Sequence, residues 1–172
     1  MNASTLILRA KSALEKDVKY KSPGKAPPLE ATSWPNSPIA TDCSGFLAWC
    51  LRISRKIDHP FYNRINGGWF ETTAVHADGR ASVGYCSQIN KPRPGAMLVY
   101  PDYLGSDNRM HDGHMGLVVE VNGGSGIDGV TGIVHCSVGN DRNGSAIQET
   151  GPGIWKAKAN SIIVWWDGII ED

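Results

Sequence analysis

The sequence predicts an α+β fold in which N-terminal helices pack on an antiparallel β-sheet. Apolar side chains before residue 55 recur at helical spacing, whereas those after residue 94 stand in short runs typical of strands. Gly and Pro account for 20 and 10 of the 172 residues, which indicates many turns. A chain of this length is expected to fold as one domain over residues 1–172.

The N-terminal part is predicted to contain two helices. The first runs from about Ser4 to Lys16 and places its apolar side chains on one side: Leu6, Ile7, Ala10 and Leu14. The second runs from Cys43 to about Ser54, with an apolar face formed by Phe46, Leu47, Cys50 and Leu51. Five prolines between residues 22 and 38 argue against regular structure in the connecting loop. A basic patch follows the second helix: Arg52, Arg55 and Lys56.

The C-terminal half is predicted to form the sheet. Residues 57–93 show no clear period and are expected to form short strands or a shaped loop. Four strands are predicted after them, at residues 96–100, 114–121, 133–138 and 161–166. If the second and third form a hairpin, His114 faces His135 directly, because the midpoint between them falls in a glycine-rich turn. A bulge in that turn could shift the pairing by a residue or two.

Composition excludes several classes of partner. Seventeen basic and seventeen acidic residues cancel, so neither nucleic acid nor an anionic membrane is expected as the main partner. The apolar runs are too short to span a bilayer. Arg9 interrupts the only apolar run near the N-terminus, so we expect synthesis in a cytoplasm without a secretory signal, and any action outside to need a non-Sec route. Four cysteines are few for a disulfide scaffold, and Cys50, Cys86 and Cys136 are expected to be packed thiols.

Cys43 is the candidate nucleophile because it begins the second predicted helix. Thr41 or Asp42 can cap this helix, and the positive end of a helix stabilises a thiolate. We therefore expect a lowered thiol pKa, aided by a neighbouring histidine. Cysteine catalysis also needs a base and a third group that orients the base, and His114 and His135 can share one face of adjacent strands. The alternative for His135 is a core histidine held by a backbone carbonyl.

These segments resemble the NlpC-type family of papain-like bacterial cell-wall cysteine peptidases. The matching segments run in the family's order and are Asp42-Cys43-Ser44-Gly45-Phe46, Arg93-Pro94-Gly95, Gly113-His114-Met115-Gly116-Leu117-Val118-Val119 and Val134-His135-Cys136. The resemblance implies a papain-like fold with Cys43 as nucleophile, His114 as base and His135 as the orienting residue.

The resemblance also implies how substrate is held. The hydroxyl of Tyr20 is expected near the oxyanion, and Asp42 and Ser44 are expected to hold the free amine of the substrate. The implied reaction is hydrolysis of an amide bond in peptidoglycan stem peptides or muropeptides, with no cofactor or metal. Such an enzyme could be an injected type VI effector with a cognate immunity or delivery protein, a phage lysin, or a recycling enzyme.

Other functions and local interpretations stay open at this point. A papain-like acyltransferase or thioesterase acting on lipid or protein conjugates is one alternative, and a non-catalytic binding module is another. His111 and His114 with Asp107 and Asp112 could form a metal cluster, although a polar loop rim explains them better. Three aromatic residues could line a groove or hold loops on the core: Trp34, Tyr62 and Trp69.

Overall fold

The structure is a computed structural model that describes residues 1–14, 16–21 and 39–171. The predicted proline-rich loop, with Trp34, lies outside the described residues. Six α-helices lie in the described part of the chain: α1 (Ala3–Ser12), α2 (Cys43–Leu51), α3 (Pro60–Asn66), α4 (Thr72–Ala81), α5 (Val138–Asp141) and α6 (Gly153–Lys156). The first four strands are β1 (Val18–Tyr20), β2 (Ile39–Thr41), β3 (Cys86–Ile89) and β4 (Met97–Tyr100). The other six are β5 (Tyr103–Leu104), β6 (Met110–His111), β7 (His114–Val121), β8 (Val130–Cys136), β9 (Ile147–Thr150) and β10 (Ile162–Trp166).

Six strands form one antiparallel sheet in the order β3-β10-β4-β7-β8-β9. The expected α+β class with an antiparallel sheet is confirmed. The central strand β7 is buried on both faces from His114 to Val119, because helices and loops cover it on each side. The predicted strands at 96–100, 114–121 and 161–166 match β4, β7 and β10 within a residue. The strand predicted at 133–138 begins earlier, since β8 starts at Val130.

Helix α2 is the buried helix that carries Cys43. Asp42 caps it by accepting the Gly45 N–H at 2.7 Å, and Arg52 ends it in the left-handed conformation with φ 58°. All nine residues of the helix are buried, so its apolar character extends around the helix rather than along one face. The helix packs on β7 and β8, which brings its first turn to the middle of the sheet.

The N-terminal segment lies beside the start of α2. α1 ends earlier than predicted and buries Leu6 and Ala10. β1 then pairs in parallel with β2, and Tyr20 is the register partner of Thr41. Because Thr41 precedes the Asp42 cap, this pairing brings Tyr20 close to the beginning of α2.

Residues 57–93 contain two helices, so the prediction of short strands or a shaped loop is wrong for α3 and α4, whereas β3 is a short strand as expected. Pro60 starts α3 after the His59 cap. Glu71 caps α4, where its carboxylate accepts the N–H groups of Thr73 and Ala74 at 2.8 and 2.6 Å. The buried face of α4 consists of small and polar residues: Thr72, Ala74, Val75, Asp78 and Gly79. Since so few of these are large and apolar, the sequence carries no helical period here.

Asp78 fastens α4 to the strand that follows. Its carboxylate is fully buried and accepts the N–H groups of Gly84, Tyr85 and Cys86 at 2.7, 2.7 and 3.0 Å. The Tyr62 hydroxyl donates to the same carboxylate at 2.9 Å. Tyr62 therefore holds α3 on the core instead of lining a groove.

No helix among residues 1–14, 16–21 and 39–171 has both the length and the apolar character needed to cross a membrane.

Candidate active site

Cys43 is the first residue of α2 and lies where this helix meets the central strands. Its side chain is 7% exposed. The backbone N–H groups of Met115 on β7 and of Ser44, the next residue of the helix, lie near the sulfur and act to lower the pKa of the thiol. Met115 directly follows His114 in β7, so α2 packs on the strand that carries the candidate base. The prediction that Cys43 begins a helix is confirmed.

His114 and His135 form a hydrogen-bonded pair on one face of the sheet. His114 Nε2 lies 2.8 Å from His135 Nδ1, and the rings are nearly perpendicular at 83°. The expected shared face is confirmed, but the expected direct pairing is wrong. Leu117 pairs with Val134, so Gly116 stands opposite His135 and the histidines meet along the diagonal. The difference of two residues is already present next to the turn, where Val121 pairs with Val130, and the two register shifts near Glu120 cancel each other.

Trp155 of α6 covers the two histidines. Its ring stacks on His114 with centroids 5.2 Å apart and meets His135 edge-on at 5.2 Å. Gly116 makes this packing possible, because a Cβ there would lie 3.0 Å from Trp155 and 3.0 Å from His135. The space that a glycine leaves on this face is therefore filled by an aromatic ring, which shields the histidines from water.

The backbone carbonyl and the Nε2 atom of His135 also have hydrogen-bond partners. Thr150 Oγ1 on β9 lies 2.9 Å from His135 Nε2, and the Asn140 side-chain amide donates to the His135 carbonyl at 3.1 Å. The ring of His135 thus has two polar partners, His114 and Thr150. A core histidine satisfied only by a backbone carbonyl, the alternative from the sequence, does not match these contacts.

Asp42 and Ser44 belong to a buried network with Arg55. Asp42 accepts from the Ser44 hydroxyl at 3.0 Å and from Arg55 Nη1 at 2.9 Å, and Arg55 Nη2 donates to Ser44 Oγ at 2.8 Å. The Arg55 and Asp42 side chains are 6% and 1% exposed. Arg55 is therefore part of the site and not of an exposed basic patch. Binding of a substrate ammonium by Asp42 and Ser44 stays a prediction, and the geometry favours a role in positioning the start of α2.

Two tyrosines lie near Cys43, so ionisation of the thiol would disfavour ionisation of either hydroxyl. Burial chiefly raises the pKa of Tyr20, and the nearby Cys43 adds to the effect. Burial, then Tyr103 and then Cys43 raise the pKa of Tyr100 to about 12. Tyr100 is also the strand partner of His114. Both hydroxyls therefore stay protonated at pH 7, and the role of Tyr20 near the oxyanion stays a prediction.

The thiol and both imidazoles are neutral at pH 7. Burial raises the pKa of the Cys43 thiol to about 12, and the Asp42 carboxylate adds to the rise. Burial lowers the pKa of His114 to about 3, with a further contribution from His135, and burial lowers the pKa of His135 to about 4. The expectation of a lowered thiol pKa is therefore wrong, because burial outweighs the positive helix end.

A cavity of about 220 Å³ adjoins Tyr100, the strand partner of His114. Its lining residues are Tyr100, Pro101, Tyr103, Leu104, Lys158, Ala159 and Asn160. The Lys158 ammonium lies 3.8 Å from the centre of the Tyr103 ring. The cavity thus combines aromatic walls with one positive charge, which suits a side chain that ends in a carboxylate.

The other candidate residues lie apart from this site. His111 Nε2 lies 2.9 Å from Asp107 Oδ1 on the small β5–β6 hairpin. In residues 1–14, 16–21 and 39–171, no three His, Cys, Asp or Glu side chains are grouped so as to hold a metal ion. Trp69 is 39% exposed and lies under the Lys56 ammonium. The prediction of packed thiols is confirmed for Cys50, Cys86 and Cys136, which are at most 1% exposed.

Sequence reasoning missed four residues that contact the histidines or the helix start. They are Arg55, Tyr100, Thr150 and Trp155. Tyr100 could have been found from its place at the end of a predicted strand beside His114. The other three offer no sequence signal of this kind, because each is brought to the site by tertiary packing.

Neither a scan against protein-family models nor a search of curated proteins finds a match to this chain.

Proposed function

We propose that the protein is a papain-like cysteine amidase or endopeptidase that hydrolyses an amide bond in peptidoglycan stem peptides or muropeptides. One observation carries the proposal: the His114 ring bonds to His135 at 2.8 Å, and the helix that begins at Cys43 packs on the strand that carries His114. A thiol, a base and a group that orients the base are what cysteine hydrolases combine. The peptidoglycan substrate rests on the resemblance of the motifs around Cys43, His114 and His135 to the NlpC-type family.

The reaction begins from a neutral thiol and a neutral imidazole. His114 takes the Cys43 proton as the sulfur attacks the amide carbonyl, and the developing imidazolium keeps its hydrogen bond to His135. The oxyanion forms near the Cys43 N–H, which has no acceptor within the helix at this first position. The Tyr20 hydroxyl is the second proposed donor.

Collapse of this intermediate breaks the C–N bond. His114 returns the proton to the leaving amine, and a thioester to Cys43 remains. Water then attacks the thioester, with His114 again as base, and the product acid and free thiol are released. The cavity beside Tyr100 is proposed to seat a substrate side chain whose carboxylate meets Lys158.

Digestion of purified sacculi and of synthetic stem peptides tests the proposal. Mass spectrometry of the products identifies the cleaved bond. We expect Cys43→Ala to be inactive and folded, whereas Cys50→Ala is the matched control, since this thiol is fully buried in the same helix and bonds to neither histidine. Hydrolysis by Cys43→Ala, or no new fragment from any substrate with the wild-type protein, would contradict the proposal. Lipid and protein thioesters in the same assay test the acyltransferase or thioesterase alternative.

A further inference from the structure

Three polar side chains lie on a diagonal across three neighbouring strands. His114 is on β7, His135 on β8 and Thr150 on β9. Gly116 stands opposite His135 on one side, and Gln148 is its register partner on the other. His114 and Thr150 are each two residues from those partners, so all three side chains share one face of the sheet. The contacts between them are 2.8 and 2.9 Å.

The direction of both hydrogen bonds follows from the contacts of the Thr150 hydroxyl. The Thr150 hydroxyl donates to the Gly151 carbonyl at 3.2 Å. Its oxygen therefore presents lone pairs to His135 Nε2, which must carry a hydrogen in order to donate. A neutral imidazole has one N–H, so His135 Nδ1 is bare and accepts the hydrogen of His114 Nε2.

The same logic leaves His114 Nδ1 bare. In a neutral ring whose hydrogen is on Nε2, Nδ1 is the only atom that can take a proton from a thiol. If the Thr150 hydroxyl donated to His135 Nε2 instead, both imidazoles would carry their hydrogen on Nδ1. His114 would then carry its hydrogen on Nδ1 and could not act as a base through that atom.

We infer that Thr150 is a positioning residue that sets the tautomers of His135 and, through it, of His114. The inference rests on the proposed function for its catalytic consequence, but the tautomers themselves exist without substrate. Thr150 lies at the end of β9, an edge strand of the sheet, and is half-buried. Replacement of its hydroxyl by a methyl group therefore changes the line of hydrogen bonds with little change in the core.

Nitrogen NMR of the histidine rings tests the tautomers directly. In ¹⁵N-labelled wild-type protein near pH 7, we expect His114 and His135 each to carry hydrogen on Nε2. In Thr150→Val, His135 Nε2 loses its acceptor, and we expect the Nδ1–H form to appear in both rings. Thr150→Ser keeps the hydroxyl and is expected to restore the wild-type spectrum. Thr131→Val is the matched control, since Thr131 is exposed on β8.

Kinetics on a cleavable amide gives the second measurement. We expect Thr150→Val to lower kcat about tenfold, the scale of one hydrogen bond, with KM unchanged, and Thr150→Ser and Thr131→Val to retain wild-type kcat. Wild-type ring tautomers in Thr150→Val would overturn the inference whatever the activity. A change of tautomer in a protein that cleaves no amide would support the inference while the proposed function fails. A kcat in Thr150→Ser that is as low as in Thr150→Val would also overturn the inference.

Discussion

The buried histidine pair predicts a marked loss of stability between pH 7 and pH 5. The perturbation is the pH itself, because folding keeps His114 and His135 neutral. Burial lowers the pKa of His114 to about 3 and that of His135 to about 4, whereas an unfolded histidine has a pKa of about 6.5. Below pH 6.5 the unfolded chain therefore binds protons that the folded protein does not. The stabilisation is complete above pH 6.5 and is lost as the pH falls towards 4.

The magnitude follows from the same pKa values. One pKa unit corresponds to about 1.4 kcal/mol, so each histidine contributes about 2 kcal/mol of lost stability between pH 7 and pH 5. The pair together gives about 4 kcal/mol, which is a large part of the stability of an ordinary domain. Most carboxylates titrate below this range, so the window reports mainly histidines.

Urea unfolding at pH 7, 6 and 5 measures this effect. The wild-type free energy of unfolding is expected to fall by about 4 kcal/mol, and in His135→Gln the fall is expected to be about half as large. His111→Gln is the control, because His111 is on an exposed hairpin, and it is expected to follow the wild-type curve. A wild-type free energy of unfolding that stays flat from pH 7 to pH 5 would refute the reasoning.

Three further predictions concern the site. His114→Ala is expected to lower kcat/KM more than His135→Ala does at equal stability, because the base takes part in each proton transfer. Steady-state kinetics, with urea unfolding of both variants, measures this. A larger loss of kcat/KM in His135→Ala would mean that the two histidines have exchanged roles. Gly116→Ala is expected to lower kcat and to lower the free energy of unfolding by about 1–3 kcal/mol. The reason is that an added Cβ would meet three side-chain atoms at 3.0 Å or less. Unchanged values of both quantities would mean that the Trp155 ring moves freely. Lys158→Met is expected to raise KM several-fold for a peptide with a free carboxylate and to leave KM for the amidated peptide unchanged. The control is Lys156→Met, which removes a lysine paired with an acidic side chain and is expected to change neither KM. Equal KM effects of Lys158→Met on the two peptides would contradict binding of a carboxylate in this cavity.

The helix start and the central strands could be predicted because their signals are local. Asp42 caps the helix through its own side chain, and Cys43 follows in the first turn. The strand that begins at His114 has a continuous apolar run after it. Such patterns depend on a few neighbouring residues, and tertiary packing agrees with them here.

The remainder of the site depends on contacts that local patterns do not encode. Arg55 looks like a surface cation in sequence, but tertiary packing buries it against Asp42. Thr150 ends a strand with only one large apolar residue, Ile147, so neither the strand nor its hydroxyl gives a signal. Trp155 belongs to a four-residue helix that shows no full period. The register of the histidine hairpin is set at its turn, where Val121 pairs with Val130, and the midpoint between two histidines cannot locate that turn.

The state of the Cys43 thiol shows which of two opposing effects is larger. A helix N-terminus stabilises an adjacent negative charge by about 0.3–2 kcal/mol. Burial raises the thiol pKa from 9.0 to about 12, which corresponds to about 4 kcal/mol against the thiolate. Burial is therefore the larger effect. A thiolate–imidazolium pair in the resting protein would also need a buried positive charge on His114, and the pKa of His114 is itself lowered. Since neither charge is favourable alone, proton transfer and attack on the carbonyl are expected to occur together. In the proposed reaction, the nearby N–H groups of Met115 and Ser44, which act to lower the thiol pKa, favour the charge that develops on the sulfur.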